Sequence, residues 1–307
     1  MDVELKYGSR KIAIAIPATA EVSVLEPLQV PVLGSVPAAV SEALAAPLGC
    51  AGLETLIART RPRTVAIAVP DETRPAPLRE VLPPLMDRIQ SGLARPLAES
   101  VIFFIGGGLH PPADAAAIAR ILPPGVARGC RIVAHDARTA AMRDYGMTRR
   151  GTPVRINADY AGADLKIVIG QVDPHQFVGF TGGSKGVVIG CAAPETIEKN
   201  HSLMSHPSAR VGRLAGNPVR EDLTEAGETV GIDLAVNFVL DADKRPVHLA
   251  AGNPARVLES CAEICARVYG VAIEQKFDIE IPVRDVWNLN QVKDVIDYLA
   301  RRGVVVP

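Results

Sequence analysis

Aromatic side chains are scarce in this chain, with six Phe, five Tyr and one Trp among 307 residues. That scarcity argues against the stacking platforms that hold single-stranded nucleic acid. An excess of either charge is also missing: 33 Lys and Arg face 34 Asp and Glu, a formal net charge of −1. Such a balance offers no electrostatic footprint for nucleic acid or an anionic membrane. No apolar run approaches the roughly 18 residues of a membrane span. The opening "MDVELKYGSRKIAIAIP" has no basic segment leading into a long apolar core, so a secretory signal is not expected. Cysteines are few and odd in number (Cys50, Cys130, Cys191, Cys261, Cys265). Cys261 and Cys265 stand four apart in a helical pattern and can share one face. Without a second pair they read as small buried apolar side chains rather than zinc ligands. A reducing, cytoplasmic setting and small-molecule partners are the expectation, with no nucleic acid and no membrane.

What the chain has instead is 48% hydrophobic residues, in short apolar runs separated by amphipathic stretches. "KIAIAIP" (11–17), "TVAIAVPDETRP" (64–75), "SVIFFIGGGLHPP" (100–112), "RIVAHDA" (131–137) and "DLKIVIGQVDPH" (164–175) read as buried strands. Helices are expected over 76–93, 112–122 and 255–270. Strand alternating with helix predicts an α/β fold, a mainly parallel sheet flanked by helices. The Pro- and Ala-rich region 17–55 gives no clear pattern. A boundary near Gln275 divides residues 1–274 from 275–307, and the latter read as strand, helix, strand. One such unit cannot cover both faces of its own sheet, so it docks on the main domain, pairs with another chain, or begins a larger domain.

In parallel α/β sheets ligands collect at the carboxyl ends of the strands. Three strands here exit into polar residues: Asp71-Glu72-Thr73-Arg74, Gly106-Gly107-Gly108-Leu109-His110 and Asp173-Pro174-His175. Arg74 offers a planar fork for a carboxylate or phosphate, and Asp71 is expected to hold that fork. The same pair also reads simply as a turn cap and a surface cation. His110 follows three glycines that let backbone approach a ligand, and with His175 it suits acid–base chemistry from two sides of a cleft. The glycine loop "GFTGGSKG" (179–186) has no hydroxyl after its lysine and fails both the Walker A and the dinucleotide patterns. Thr181, Ser184 and the amides of Gly182 and Gly183 can still take one phosphate. Lys185 reads as a point charge or, with a lowered pKa, a covalent anchor. His201 is a candidate metal ligand. His135, His206 and His248 lack such company and read as surface or core residues. The segment is suited to a nucleotide, a metal, or both.

With these residues laid out, the chain resembles the nickel-dependent lactate racemase family. The resemblance runs through "DETRP" (71–75), "GGGLHPP" (106–112), "PHQFVGFTGGSKGVVIG" (174–190), "ETIEKNH" (195–201) and "GNPVRED" (216–222). It implies racemisation or epimerisation of a small 2-hydroxy acid by proton-coupled hydride transfer to and from a nickel-pincer nucleotide, pyridinium-3,5-bisthiocarboxylic acid mononucleotide. Lys185 would carry that nucleotide, with Thr73, Thr181, Gly182, Gly183 and Ser184 around it, and His201 would ligate nickel. His110 and His175 would act as paired bases, and Arg74, with Asp71, would hold the substrate carboxylate. Thr181 stands where serine is usual, and Ile189 where proline is common. The family's second domain is much longer than the segment after Gln275, which therefore resembles a truncated remnant. Lys293 is the match there for a substrate-site lysine, with Asn290 or Gln291 for a neighbouring amide. Cofactor-making enzymes are implied partners, and a second subunit covering the cleft is expected. The rival readings are a non-catalytic relative that binds nucleotide or nickel without turnover, and a zinc hydrolase, which leaves Lys185 unexplained.

Overall fold

Short β-branched runs that are apolar at every position demand burial on both faces, and a sheet covered by helices on both sides meets that demand. The computed structural model describes residues 2–7, 10–17, 28–74, 76–271 and 292–303. They fall into two compact units, Met1–Gly270 and Val271–Pro307.

The first unit begins with β1 (Asp2–Tyr7), β2 (Arg10–Ala15), α1 (Val36–Ala45), α2 (Leu53–Thr60), β3 (Val65–Pro70) and α3 (Leu78–Gly92). It continues with α4 (Leu97–Ser100), β4 (Val101–Gly106), α5 (Ala115–Ile121), β5 (Arg131–Ala134), β6 (Met142–Met147) and β7 (Pro153–Asn157). Next come α6 (Ala158–Ala161), β8 (Leu165–Gln171), β9 (Pro174–His175), β10 (Gly179–Phe180), α7 (Lys185–Val188) and α8 (Pro194–Ser202). It closes with α9 (Pro218–Val230), β11 (Leu234–Leu240), β12 (Pro246–Gly252) and α10 (Pro254–Tyr269).

Six strands form the main sheet in the order β12-β11-β8-β3-β4-β5, parallel except for β12. Side chains alternate along each strand. Val65, Ile67 and Val69 face one apolar layer, filled by α1, α2 and α3 through Val40, Leu44, Leu53, Leu82, Leu85 and Ile89. Ala66 and Ala68 face the other, where α9 and α10 bring Val219, Leu223, Ala226, Val257 and Leu258. Cys261 and Cys265 share the buried face of α10 in that second layer. Each fully buried Leu, Ile or Phe contributes roughly 1.5–3 kcal/mol. That burial carries α3 through Pro83 and Pro84, which by propensity alone would end it. Asn217 and Asn253 cap α9 and α10 by accepting the first free backbone N–H groups.

Two expected buried strands are corrected. "RIVAHDA" forms β5, which is the edge strand of the main sheet, with Arg131 exposed and its other three residues only half-buried. "KIAIAIP" does form β2, but it pairs only with β1, in an antiparallel hairpin separate from the main sheet. Every residue of β2 is exposed, Ile12 at 41% and Ile14 at 44%. Its alternation satisfies a local ladder, which needs no second covered face. In the unassigned region 17–55, the described part holds α1 and the start of α2. Described by itself, the second unit contains α11 (Val292–Arg301). The two strands expected around that helix lie outside the described residues. Among the described residues, no helix is long and apolar enough to cross a membrane.

Candidate active site

Strands β8, β3 and β4 are parallel neighbours, so their carboxyl ends open onto one edge of the sheet. The three polar exits therefore meet. Asp71, Thr73 and Arg74 follow β3, Gly107, Gly108 and His110 follow β4, and Gln171 ends β8 with His175 beyond it. With Thr181, Gly182, Gly183, Lys185, Glu198 and His201 they line a cavity of about 430 Å³.

Backbone conformation makes this approach possible at two glycines. Gly182 has φ +83°, and a Cβ there would lie 2.5 Å from Val172 Cγ2. A Cβ on Gly190 would lie 2.1 Å from the Gly186 carbonyl oxygen. Because nothing fills that gap, the end of the glycine segment reaches the β4 exit, where Gly108 N–H donates to the Gly190 carbonyl at 3.0 Å.

Asp71 serves His110 rather than the Arg74 fork. Its Oδ2 lies 2.6 Å from His110 Nδ1, while Oδ1 accepts from the Thr73 hydroxyl at 2.6 Å and its N–H at 3.2 Å. An ionised carboxylate only accepts, so His110 Nδ1 carries the proton and Nε2 keeps its lone pair. His175 is set the other way, its Nδ1 accepting from Val178 N–H at 3.3 Å, which leaves the proton on Nε2. Burial, then the cations Lys185, Arg74 and Arg220, and His201 hold the His175 pKa down at about 3, so it is neutral at ordinary pH. Phe177 stands edge-on between His175 and His201, with ring centroids 4.6 and 5.1 Å away.

His201 Nδ1 lies 2.8 Å from the Ile197 carbonyl, which can only accept. Nε2 therefore carries the lone pair, the arrangement of a metal-ligating histidine. Burial lowers its pKa, with Lys185 adding to the effect against the Ile197 bond. Lys185 opens α7 and, among the described residues, its amine makes no hydrogen bond or ion pair. Burial first, then Arg74 and Arg220, bring its pKa down to about 7. The lowered pKa makes this amine a more usable nucleophile than an ordinary lysine.

Two sequence expectations change here. Ser184 does not line the cavity: its side chain packs against α9, where a Cβ on Gly227 would lie 2.1 Å from Ser184 Oγ. Thr181 lines it, but its hydroxyl is committed, donating to the Gln171 carbonyl at 2.8 Å and accepting from Asp173 N–H at 2.7 Å. Lys293 sits on α11 of the second unit; its side chain, with Asn290 and Gln291, lies outside what the structure describes. His135 is a core residue, buried between the Ala192 carbonyl (3.1 Å) and Asn157 (3.3 Å). His206 is exposed, and His248 meets Ser260 Oγ at 3.3 Å.

Sequence reasoning passed over several residues. Gln171 is 4% exposed, lines the cavity, and leaves Oε1 without a partner. Glu198 stands three residues before His201 on α8, a spacing that was readable. Asn237 is fully buried in β11 and accepts Gly183 N–H at 2.8 Å. A lone Asn in the apolar run "LAVNFVL" was its signal.

The fold and cavity define an α/β domain whose chemistry is gathered at the carboxyl edge of a parallel sheet, around Lys185 and three histidines. A model of the lactate racemase N-terminal domain family matches residues 7–212, and the chain belongs to that family. Lactate racemase of Thermoanaerobacterium thermosaccharolyticum is 28% identical over 270 residues, covering 85% of this chain and 61% of its own length. That of Lactiplantibacillus plantarum is 33% identical over 217 residues, covering 70% of this chain and 50% of its own. The lactate racemase apoprotein structure from T. thermosaccharolyticum superposes with a TM-score of 0.77 at 27% identity, covering 87% of this chain and 63% of that one. A Thermotoga maritima crystal structure shares the fold at TM-score 0.60 and 18% identity, covering 78% and 60%. This chain thus spans between half and two thirds of the length of these relatives.

Proposed function

We propose that this chain serves racemisation or epimerisation of a small 2-hydroxy acid, with a nickel-pincer nucleotide held by Lys185 and His201. One observation carries the reading. In a single cavity an unpartnered amine with a pKa of about 7 faces the same space as a histidine whose Nε2 lone pair is free. Those donors fit the group: the amine for covalent attachment, the imidazole for a soft-edged divalent metal. The names of the relatives, lactate racemase, support the substrate class. When bound, the group would supply a hydride acceptor.

The chain's own residues account for the rest. Arg74 holds the substrate carboxylate and offsets negative charge on the substrate oxygen. His110 takes the hydroxyl proton at Nε2, and the Asp71 carboxylate on Nδ1 stabilises the imidazolium that forms. His175, with its proton on Nε2, faces the opposite task and donates to a substrate oxygen. For the other enantiomer the two exchange roles, which requires His175 to give up its bond from Val178 N–H.

Intact mass and metal analysis of protein made beside the cofactor-making enzymes test the reading. The protein is expected to exceed its sequence mass and to contain nickel. Lys185→Ala should return it to the bare mass, whereas His201→Ala should keep the adduct and lose most of the nickel. An adduct that survives Lys185→Ala overturns the anchor role. A loaded protein that leaves the optical rotation of every single-enantiomer 2-hydroxy acid unchanged supports binding without turnover.

A further inference from the structure

In the segment "GNPVRED" (216–222), Arg220 is the least expected residue. The residue is 3% exposed and, among the described residues, its guanidinium has no carboxylate partner. Burying an unneutralised cation is costly, and such groups survive only where their hydrogen bonds are well used. Here all three nitrogens donate to one loop. Nε reaches the Val178 carbonyl at 3.4 Å, Nη1 the Gly182 carbonyl at 3.4 Å, and Nη2 the Phe180 carbonyl. Three alternate carbonyls of the span joining His175 to Lys185 are thus gathered on a single planar fork. Nearby, Asn217 Nδ2 holds the Phe177 carbonyl at 2.9 Å, and Asn237 holds Gly183 N–H.

We propose that Arg220 is a positioning residue, which sets the 178–182 loop from behind and thereby fixes where Lys185 presents its amine. This rests on the reading of Lys185 as the anchor. The geometry supplies two effects. The fork sets the loop's path, and a cation without a counterion opposes a second cation beside it. Lys185 feels Arg220 in this way, after burial and Arg74. The other titratable groups on its cavity are His175, His201, Glu198 and the Asp71–His110 pair.

Apoprotein tests this without any cofactor. Lys185 is acetylated with the N-hydroxysuccinimide ester of acetic acid: the amine attacks the carbonyl and loses its proton, and N-hydroxysuccinimide leaves. The rate at Lys185 is read by peptide mass spectrometry across pH 6–9 for the wild type, Arg220→Lys, Arg220→Met and Arg220→Gln. The wild-type midpoint is expected near neutrality. Loss of the charge in Arg220→Met should raise it by about half a pH unit or more, about a twofold or greater loss of labelling at pH 7. Arg220→Gln makes the same measurement if Arg220→Met fails to fold. Hydrogen exchange at the amides of 179–183 should speed up in all three variants. A shift confined to the neutral variants assigns the effect to charge, and one shared by Arg220→Lys assigns it to the fork; both support positioning. A purely structural arginine would lower the melting temperature and leave the Lys185 midpoint unmoved in folded protein, and that result overturns the proposal. An Arg220-dependent midpoint in a protein whose Lys185 never gains an adduct would remove the anchor reading alone.

Discussion

The two faces of the main sheet are built from different materials. One layer, under α1, α2 and α3, is a plain apolar packing, mostly of Val, Leu and Ile with Phe103, Phe238 and Met86. The other, under α9 and α10, mixes its apolar contacts with buried Asn200, Asn217, Arg220, Asp222 and Thr196. In that second layer polar side chains cross-link elements distant in sequence. Asn200 Nδ2 donates to Asp222 at 2.8 Å and to the Val219 carbonyl at 3.1 Å, and Thr148 donates to Asp222 at 2.5 Å. Asn200 precedes His201, so the helix carrying the candidate metal ligand is pinned to α9 at the adjacent residue. The contrast teaches that stability and placement are divided between the faces. The apolar face needs only volume and pattern, whereas the polar face spends desolvation on directional bonds that hold side chains in the cavity.

The largest expected effect tests the apolar face. Leu82→Ala removes a fully buried side chain and should lower unfolding free energy by about 2–5 kcal/mol in urea titration. Acetylation of Lys185 in the folded remainder should be unchanged. A changed Lys185 rate would show that the faces are not separable.

Next in size, Asp222→Ala removes the acceptor of the Thr148 hydroxyl and of one Asn200 amide N–H and should cost about 1–3 kcal/mol. Unlike Leu82→Ala, it should also alter the reactivity of His201 toward diethylpyrocarbonate, because α8 loses its tie to α9. Equal stability loss with native His201 reactivity would reduce the network to packing.

Lys185→Met sharpens the comparison through pH. Folding lowers the Lys185 pKa from 10.5 to about 7. Between those values the unfolded chain binds more protons than the native one, so stability rises with pH across that window. Below pH 7 the amine is charged in both states and its burial costs most. Lys185→Met should therefore raise the apoprotein's melting temperature more at pH 6 than at pH 9. An equal or reversed difference would mean that Lys185 is charged in the folded protein at neutral pH.

The smallest effect belongs to the hairpin, away from both faces. Lys11 and Glu4 form an exposed pair at 2.9 Å, and Lys11→Ala should change stability by about 0.2–1 kcal/mol, decreasing further in salt. A larger cost would give the hairpin ladder a structural weight that its exposure does not indicate.

By itself, the sequence determined the α/β class and which polar residues leave the strands at their carboxyl ends. Val65–Pro70, Val101–Gly106 and Leu165–Gln171 were readable as strands because apolar residues at every position fit a sheet covered on both faces. Their polar exits placed Asp71, Arg74, His110 and His175 at the ligand edge, since parallel strands share a carboxyl end. Lys185 and His201 were marked by glycines and by motif order. Tertiary structure decided everything that depends on distance across the chain. It put "KIAIAIP" in an exposed hairpin, because a strand's pattern names a partner type and not a partner. It gave Asp71 to His110 rather than to Arg74, and turned Ser184 away from the cavity toward Gly227. Arg220 and Asn237 act on residues 38 to 54 positions away. Such bonds leave no periodicity in a one-dimensional string, because a directional bond between distant segments exists only once packing has brought donor and acceptor together.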